Sequence, residues 1–150
     1  MSTLAWGKPK IEIAPFVAGV LPVTPTWTEV TNIKEDSTKL NTAKGAKTEA
    51  PIEGGDVIDI RYKKNNYSLE VEIWATKGAT KPIVDSDGIV AVNYAVRLTP
   101  EDVTQAGFMF PKAAVQVEDM FTSKDGKTWK YTFDALLPST GTKVQAYTQP

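Results

Sequence analysis

The chain contains no cysteine and no histidine. Zinc sites built on those ligands, thiol or Ser–His–Asp nucleophiles, haem ligation and disulfide frameworks are therefore excluded. A histidine pH switch is excluded for the same reason. Long apolar runs are missing too: nothing approaches the ~20 residues that a membrane helix needs, so no membrane partner is expected. Nor is there a surplus of one charge. Lys plus Arg number 17 and Asp plus Glu 18, a net charge of −1. Residues 1–75 carry 9 basic and 10 acidic side chains, and residues 76–150 carry 8 of each. Nucleic-acid binders normally hold a basic excess that releases counterions, so this balance argues against specific DNA or RNA binding. The start, Met1-Ser2-Thr3-Leu4-Ala5-Trp6-Gly7-Lys8-Pro9, sets no basic leader before an apolar stretch. The expectation is no signal peptide and synthesis in the cytoplasm.

What is present fits a single domain over residues 1–150. A chain of 150 residues buries roughly 70% of its unfolded surface, enough for a core without staples. Strand patterns dominate. Tyr67, Leu69, Val71 and Ile73 alternate with Ser68, Glu70, Glu72 and Trp74, a period of two with one apolar face. Ile58, Ile60 and Tyr62 alternate with Asp59, Arg61 and Lys63 just before it. The Asn65-Asn66 pair between these runs tolerates tight turns, which predicts a hairpin pairing Tyr62 with Tyr67. Asp59 then falls opposite Glu70, with Arg61 diagonal to it.

A second hairpin is expected around Lys124-Asp125-Gly126. Keeping its apolar residues on one face selects a three-residue loop, with Phe121 opposite Trp129 and Val117 opposite Phe133. A further strand is expected over residues 89–98, with Val90, Val92, Tyr94, Val96 and Leu98 inward. Weaker strands are expected over 10–14, 27–33 and 142–148. Thr99-Pro100-Glu101-Asp102 offers a cap, a first-turn proline and acids, and Gly107 an end, so one short α-helix is expected there. The fold class is mainly β: a sandwich or barrel of seven or eight strands, one short helix and a long polar loop.

That loop covers residues 35–56, where Leu40 and Ile52 are the large aliphatics among eight charged residues. Loops beyond ~12–15 residues in a compact domain are usually functional or disordered. It reads either as a surface loop or as an arm that orders against a neighbouring subunit. Residues 1–26, rich in proline from Pro9 to Pro25, read as an N-terminal arm.

Candidate chemistry is sparse. Asp85-Ser86-Asp87-Gly88 resembles the opening of a Ca²⁺ loop, but the closing Glu is missing; a tight turn with Gly88 at positive φ is the plainer reading. Glu70 and Glu72 near Asp59 could serve as paired acids of a glycosidase, or simply form a solvated strand face. Trp6, Trp27 and Trp74 are candidate interface anchors or a carbohydrate platform, whereas Trp129 belongs to the core. No catalytic residue, cofactor or metal site is assigned, and the chain is not expected to be an enzyme.

The order of features from Trp27 to Trp74 resembles bacteriophage major tail tube proteins. The pieces are Trp27-Thr28-Glu29-Val30, Ser37-Thr38-Lys39-Leu40, Gly45, Glu49-Ala50, Glu53-Gly54-Gly55-Asp56 and the run from Val57 to Ile73. The resemblance implies a structural subunit that assembles into hexameric rings, stacked into a tube through which DNA passes without specific binding. The implied location is the virion tail. Its partners would be itself and, by resemblance, tape measure, baseplate and tail terminator proteins. The loop residues Lys39, Leu40, Lys44, Lys47, Glu49, Ile52 and Glu53 would reach an adjacent subunit. Asp59, Arg61, Lys63, Glu70 and Glu72 would face the lumen. The tube of type VI secretion and other contractile injection machines is a related alternative, and a carbohydrate-binding or adhesion β-sandwich is an alternative from another class.

Overall fold

The computed structural model describes residues 3–150. Residues 1 and 2 of the expected N-terminal arm lie outside them. Among the described residues ten strands form and no helix: β1 (Lys10–Pro15), β2 (Thr28–Glu29), β3 (Lys39–Ala43), β4 (Lys47–Pro51), β5 (Val57–Tyr62), β6 (Asn66–Trp74), β7 (Tyr94–Thr99), β8 (Gly107–Thr122), β9 (Gly126–Ala135) and β10 (Gln145–Tyr147). Eight make one antiparallel sheet in the order β2-β1-β7-β8-β9-β6-β3, with β10 beside the start of β8. Among the described residues, β4 and β5 pair only with each other.

The core follows from the period-two patterns. Leu69, Val71 and Ile73 of β6 are buried, as are Trp129, Tyr131 and Phe133 of β9 and Val115 and Val117 of β8. Ile11 and Ile13 of β1 belong to the same buried cluster. β1 and β6 stand four places apart in the sheet, so the sheet must curl to bring them together. β8 serves both halves: β7 pairs with its residues 108–113 and β9 with its residues 113–122.

Several expectations are corrected. Tyr62 does not pair with Tyr67. β6 is flanked by β9 and β3, and β5 runs back along β4. The reversal between β4 and β5 is made at Gly54-Gly55, both at φ +96°, a conformation glycine adopts without a Cβ penalty. The segment read as a long polar loop therefore holds β3, β4 and this turn.

The β8–β9 hairpin keeps its expected faces but not its register. Its loop is Ser123-Lys124-Asp125, with Gly126 at φ +77°, and Asp119 rather than Phe121 stands opposite Trp129. Phe121 is 75% exposed. The expected helix is absent because Leu98 pairs with Phe108, closing the strands around a short turn. Gly107 fits there because a Cβ would stand 1.9 Å from the Leu98 carbonyl oxygen. The strand expected over 89–98 begins only at Tyr94, and Val92 is exposed rather than inward. The weak strand over 27–33 shrinks to β2, and that over 142–148 to β10.

Candidate functional site

The outer strands β4 and β5 form a two-stranded arm carried on the ends of β3 and β6. Its neck lies where both strands break, at Lys44-Gly45-Ala46 and Lys63-Lys64-Asn65. The Gly45 N–H donates to the Asn65 side-chain oxygen at 3.0 Å, and the Lys63 N–H donates to the Ala46 carbonyl at 2.9 Å. Lys143 Nζ donates to the Asn65 carbonyl and the Asn66 side chain, each at 3.2 Å. The neck is thus pinned by three elements. Beyond it, every residue from Ala46 to Lys64 is exposed.

The arm has two chemically different faces. Glu49 stands opposite Ile60 and Lys47 opposite Tyr62, while Thr48 faces Arg61 and Ala50 faces Asp59. Ile58, Ile60 and Tyr62 are 70%, 39% and 67% exposed, and Ile52 and Val57 flank the tip, also exposed. The sequence pattern had placed Ile58, Ile60 and Tyr62 on the core side; the structure puts them on an arm with no core beneath it. The Gly54-Gly55 pair was the signal that could have found the reversal. Lys47 and Glu49 neutralise each other at 2.7 Å. A lone two-stranded ribbon is marginally stable in water at best, so this apolar face calls for a covering surface.

The other predicted residues scatter. Lys39 and Leu40 lie on β3, within the main sheet, and Lys44 at the neck. Lys47, Glu49, Ile52 and Glu53 belong to the arm or its tip. Asp59 and Arg61 share an arm face, and Lys63 sits at the neck, so none of the three joins Glu70 and Glu72. Those two glutamates do share the outward face of β6. Glu70 is met by Asn41 at 2.7 Å, Lys130 at 3.3 Å and Lys39 at 3.5 Å. The hydrogen bond from Asn41, then Lys130 and Lys39, holds its carboxyl below the usual range. Lys34 reaches Glu72 at 3.5 Å and Asp125 at 3.1 Å. Glu70 and Glu72, expected to face a lumen, are therefore each paired with lysine, which the distant Lys34 and Lys130 made illegible in the local sequence.

The tryptophans have separate settings. Lys34 Nζ lies 5.4 Å from the centre of the Trp74 ring, which is half-buried. Arg97 sits 4.0 Å from Trp27 and 4.9 Å from Tyr147, with its Nε 3.0 Å from Glu12. This cluster, unforeseen in the sequence, ties β2 and β10 to β1 and β7. Trp6 is 70% exposed.

A strap, residues 75–93, links β6 to β7. Ile83 anchors it in the core, where the Tyr131 hydroxyl donates to the Ile83 carbonyl at 3.0 Å. Lys81 bridges Asp85 at 2.7 Å and Asp119 at 2.9 Å. The Lys81 ammonium, aided by the Gly88 N–H, holds the Asp85 carboxyl below its usual range. The Ser86-Asp87-Gly88-Ile89 run is a tight turn, with Asp87 at φ 52° and Gly88 at φ 86°. Its Gly88 carbonyl accepts the Val117 N–H at 3.2 Å. Beyond that point, residues 118–122 of β8 have no strand partner on the side away from β9, and β3 ends the sheet at the other side. Among the described residues, no group of three or more Asp or Glu side chains could hold a metal ion.

No protein-family model matches the chain, and no curated protein matches it.

Proposed function

We propose that the chain is a self-assembling structural subunit, built to join copies of itself into rings and tubes of the kind found in phage tails. The observation that carries this reading is the arm: a two-stranded ribbon, exposed on every residue, with an apolar face that nothing among the described residues covers. A protein that leaves such a ribbon bare in one copy has a use for it in an assembly.

The sheet adds support. Among the described residues, β3 and residues 118–122 of β8 are free edges of the sheet, and edges of this kind are hidden when neighbouring copies pair strand to strand. The two edges belong to different strands, β8 on one side and β3 on the other. Two different edges meeting make a head-to-tail contact, which closes into a ring when the rotation allows. The outward face of β6 and β9 presents Glu70, Glu72 and Lys130 in paired form, a lining along which DNA can pass without being held. Trp27 and Trp74 each have one ring face taken by a cation, which weakens the carbohydrate-platform alternative.

The test is negative-stain electron microscopy with light scattering on concentrated protein over a range of salt. Rings or tubes with a central hole are expected. Monomers at every concentration and salt would remove the basis of the reading.

A further inference from the structure

We infer that the apolar face of the arm docks, in a second copy of the chain, on the uncharged knuckle between β1 and β2 and the adjoining part of the strap. The inference rests on the assembly reading above and names the two surfaces that meet.

Residues 13–28 contain no charged side chain. Within them the chain makes a tight turn at Val17-Ala18-Gly19-Val20. Val17 and Val20 exchange backbone hydrogen bonds at 2.9 and 3.1 Å, with Ala18 at φ 52° and Gly19 at φ 81°. The knuckle holds Val17, Val20 and Val23 outward at 60%, 63% and 102% exposure. The Phe16 N–H bonds the Asn93 carbonyl at 2.9 Å, joining the knuckle to the strap. Residues 88–96 are likewise free of charge, and Ile89 and Val92 among them are exposed. Single exposed valines are ordinary, but several exposed apolar side chains on uncharged, hydrogen-bonded segments are a mark of an interaction site.

Charge decides the match. The arm presents Ile58, Ile60 and Tyr62 beside the Lys47–Glu49 pair, which carries no net charge. Laid on the knuckle, it meets no charge. Laid on the outward face of β6 and β9, it would cover Glu70, Glu72 and Lys130, a costly desolvation. Position supplies the second argument. The knuckle is attached to β1 and β2 at one end of the sheet order, and the arm to β3 and β6 at the other. Two different surfaces of one chain that meet in this way make a heterologous contact that repeats from copy to copy.

The absence of native cysteine makes the test clean. Single-cysteine variants Val20→Cys and Ile60→Cys are mixed under assembling conditions and treated with a short bismaleimide. The mixture should give at least tenfold more covalent dimer than either variant alone. Val20→Asp, at an exposed position, should keep its melting temperature and raise the concentration needed for assembly at least tenfold. If assemblies form while Ile60→Cys cross-links only to itself, or to Phe121→Cys, the docking surface is wrong and the assembly reading stands. If the unaltered chain never assembles, both fall together.

Discussion

Asn65 holds Gly45 across the neck of the arm, its side-chain oxygen accepting the Gly45 N–H at 3.0 Å. The contact is tight because a Cβ on Gly45 would stand 1.9 Å from the Lys63 carbonyl oxygen, a backbone atom with no rotamer to yield. Gly45→Ala should therefore open the neck without unfolding the body. Amide exchange at Lys63 should quicken at least tenfold, while amides shared by β6 and β9 keep their protection. Unchanged exchange at the neck, measured by mass spectrometry, would contradict this geometry.

The core should respond very differently. Val71 is 1% exposed between Leu69 and Ile73 on the buried face of β6. Val71→Asp places an unpaired carboxylate there, at a cost of about 3–5 kcal/mol and a fall in Tm on the order of 10 °C. Thermal melting followed by circular dichroism checks it. A normal Tm would mean that the inward and outward faces of β6 are reversed.

Arg97 joins four elements through Glu12, Trp27 and Tyr147. Arg97→Ala removes one charge-assisted hydrogen bond and two ring contacts, and should cost about 1–3 kcal/mol. Because Trp27 loses its cation, its fluorescence should change as well. Arg97→Lys should rescue little, since an ammonium lacks the planar surface that stacks on both rings. Full rescue by lysine would show that charge alone matters there.

Acid should loosen the strap and the outer face of β6. The carboxyls of Asp85 and Glu70 are held below their usual range in the fold, by Lys81 and by Asn41 with Lys130 and Lys39. In the unfolded chain both titrate near pH 4. Their stabilisation is thus complete above that value and is lost as pH falls through the lower folded values. Tm should decline below about pH 4. Asp85→Asn should be less stable than the parent at pH 7, and the gap should close toward pH 2–3. A gap that stays constant across thermal scans from pH 3 to 7 would detach Asp85 from the acid response.

These outcomes also mark what the sequence carried. Leu69, Val71 and Ile73, and Trp129, Tyr131 and Phe133, announced their buried faces because a period of two is local information. Pairing partners are not local. Asn65-Asn66 looked like the turn of a hairpin, yet β6 lies between β3 and β9, and the true reversal is Gly54-Gly55. In the β8–β9 hairpin the expected register was two residues off. A shift of two leaves every side chain on its own face, so the hydrophobic pattern is blind to it. The helix signals at Thr99-Pro100 yielded to the pairing of Leu98 with Phe108. Of the candidate site, the segment around Lys47, Glu49 and Ile52 was legible as something unusual. Its apolar face was not, because Ile58, Ile60 and Tyr62 read as core until the structure showed no core beneath them.

The arm itself is the most exposed claim. Among the described residues, β4 and β5 pair only with each other, so replacing residues 47–62 with a short Gly-Ser link should leave the eight-stranded sheet standing. β3, at Lys39–Ala43, must be kept because it pairs with β6. Negative-stain electron microscopy of the full chain beside this arm-less variant tests the account most directly. Rings or tubes are expected from the full chain, and folded, dispersed particles from the variant. Tubes formed equally well without the arm would contradict it.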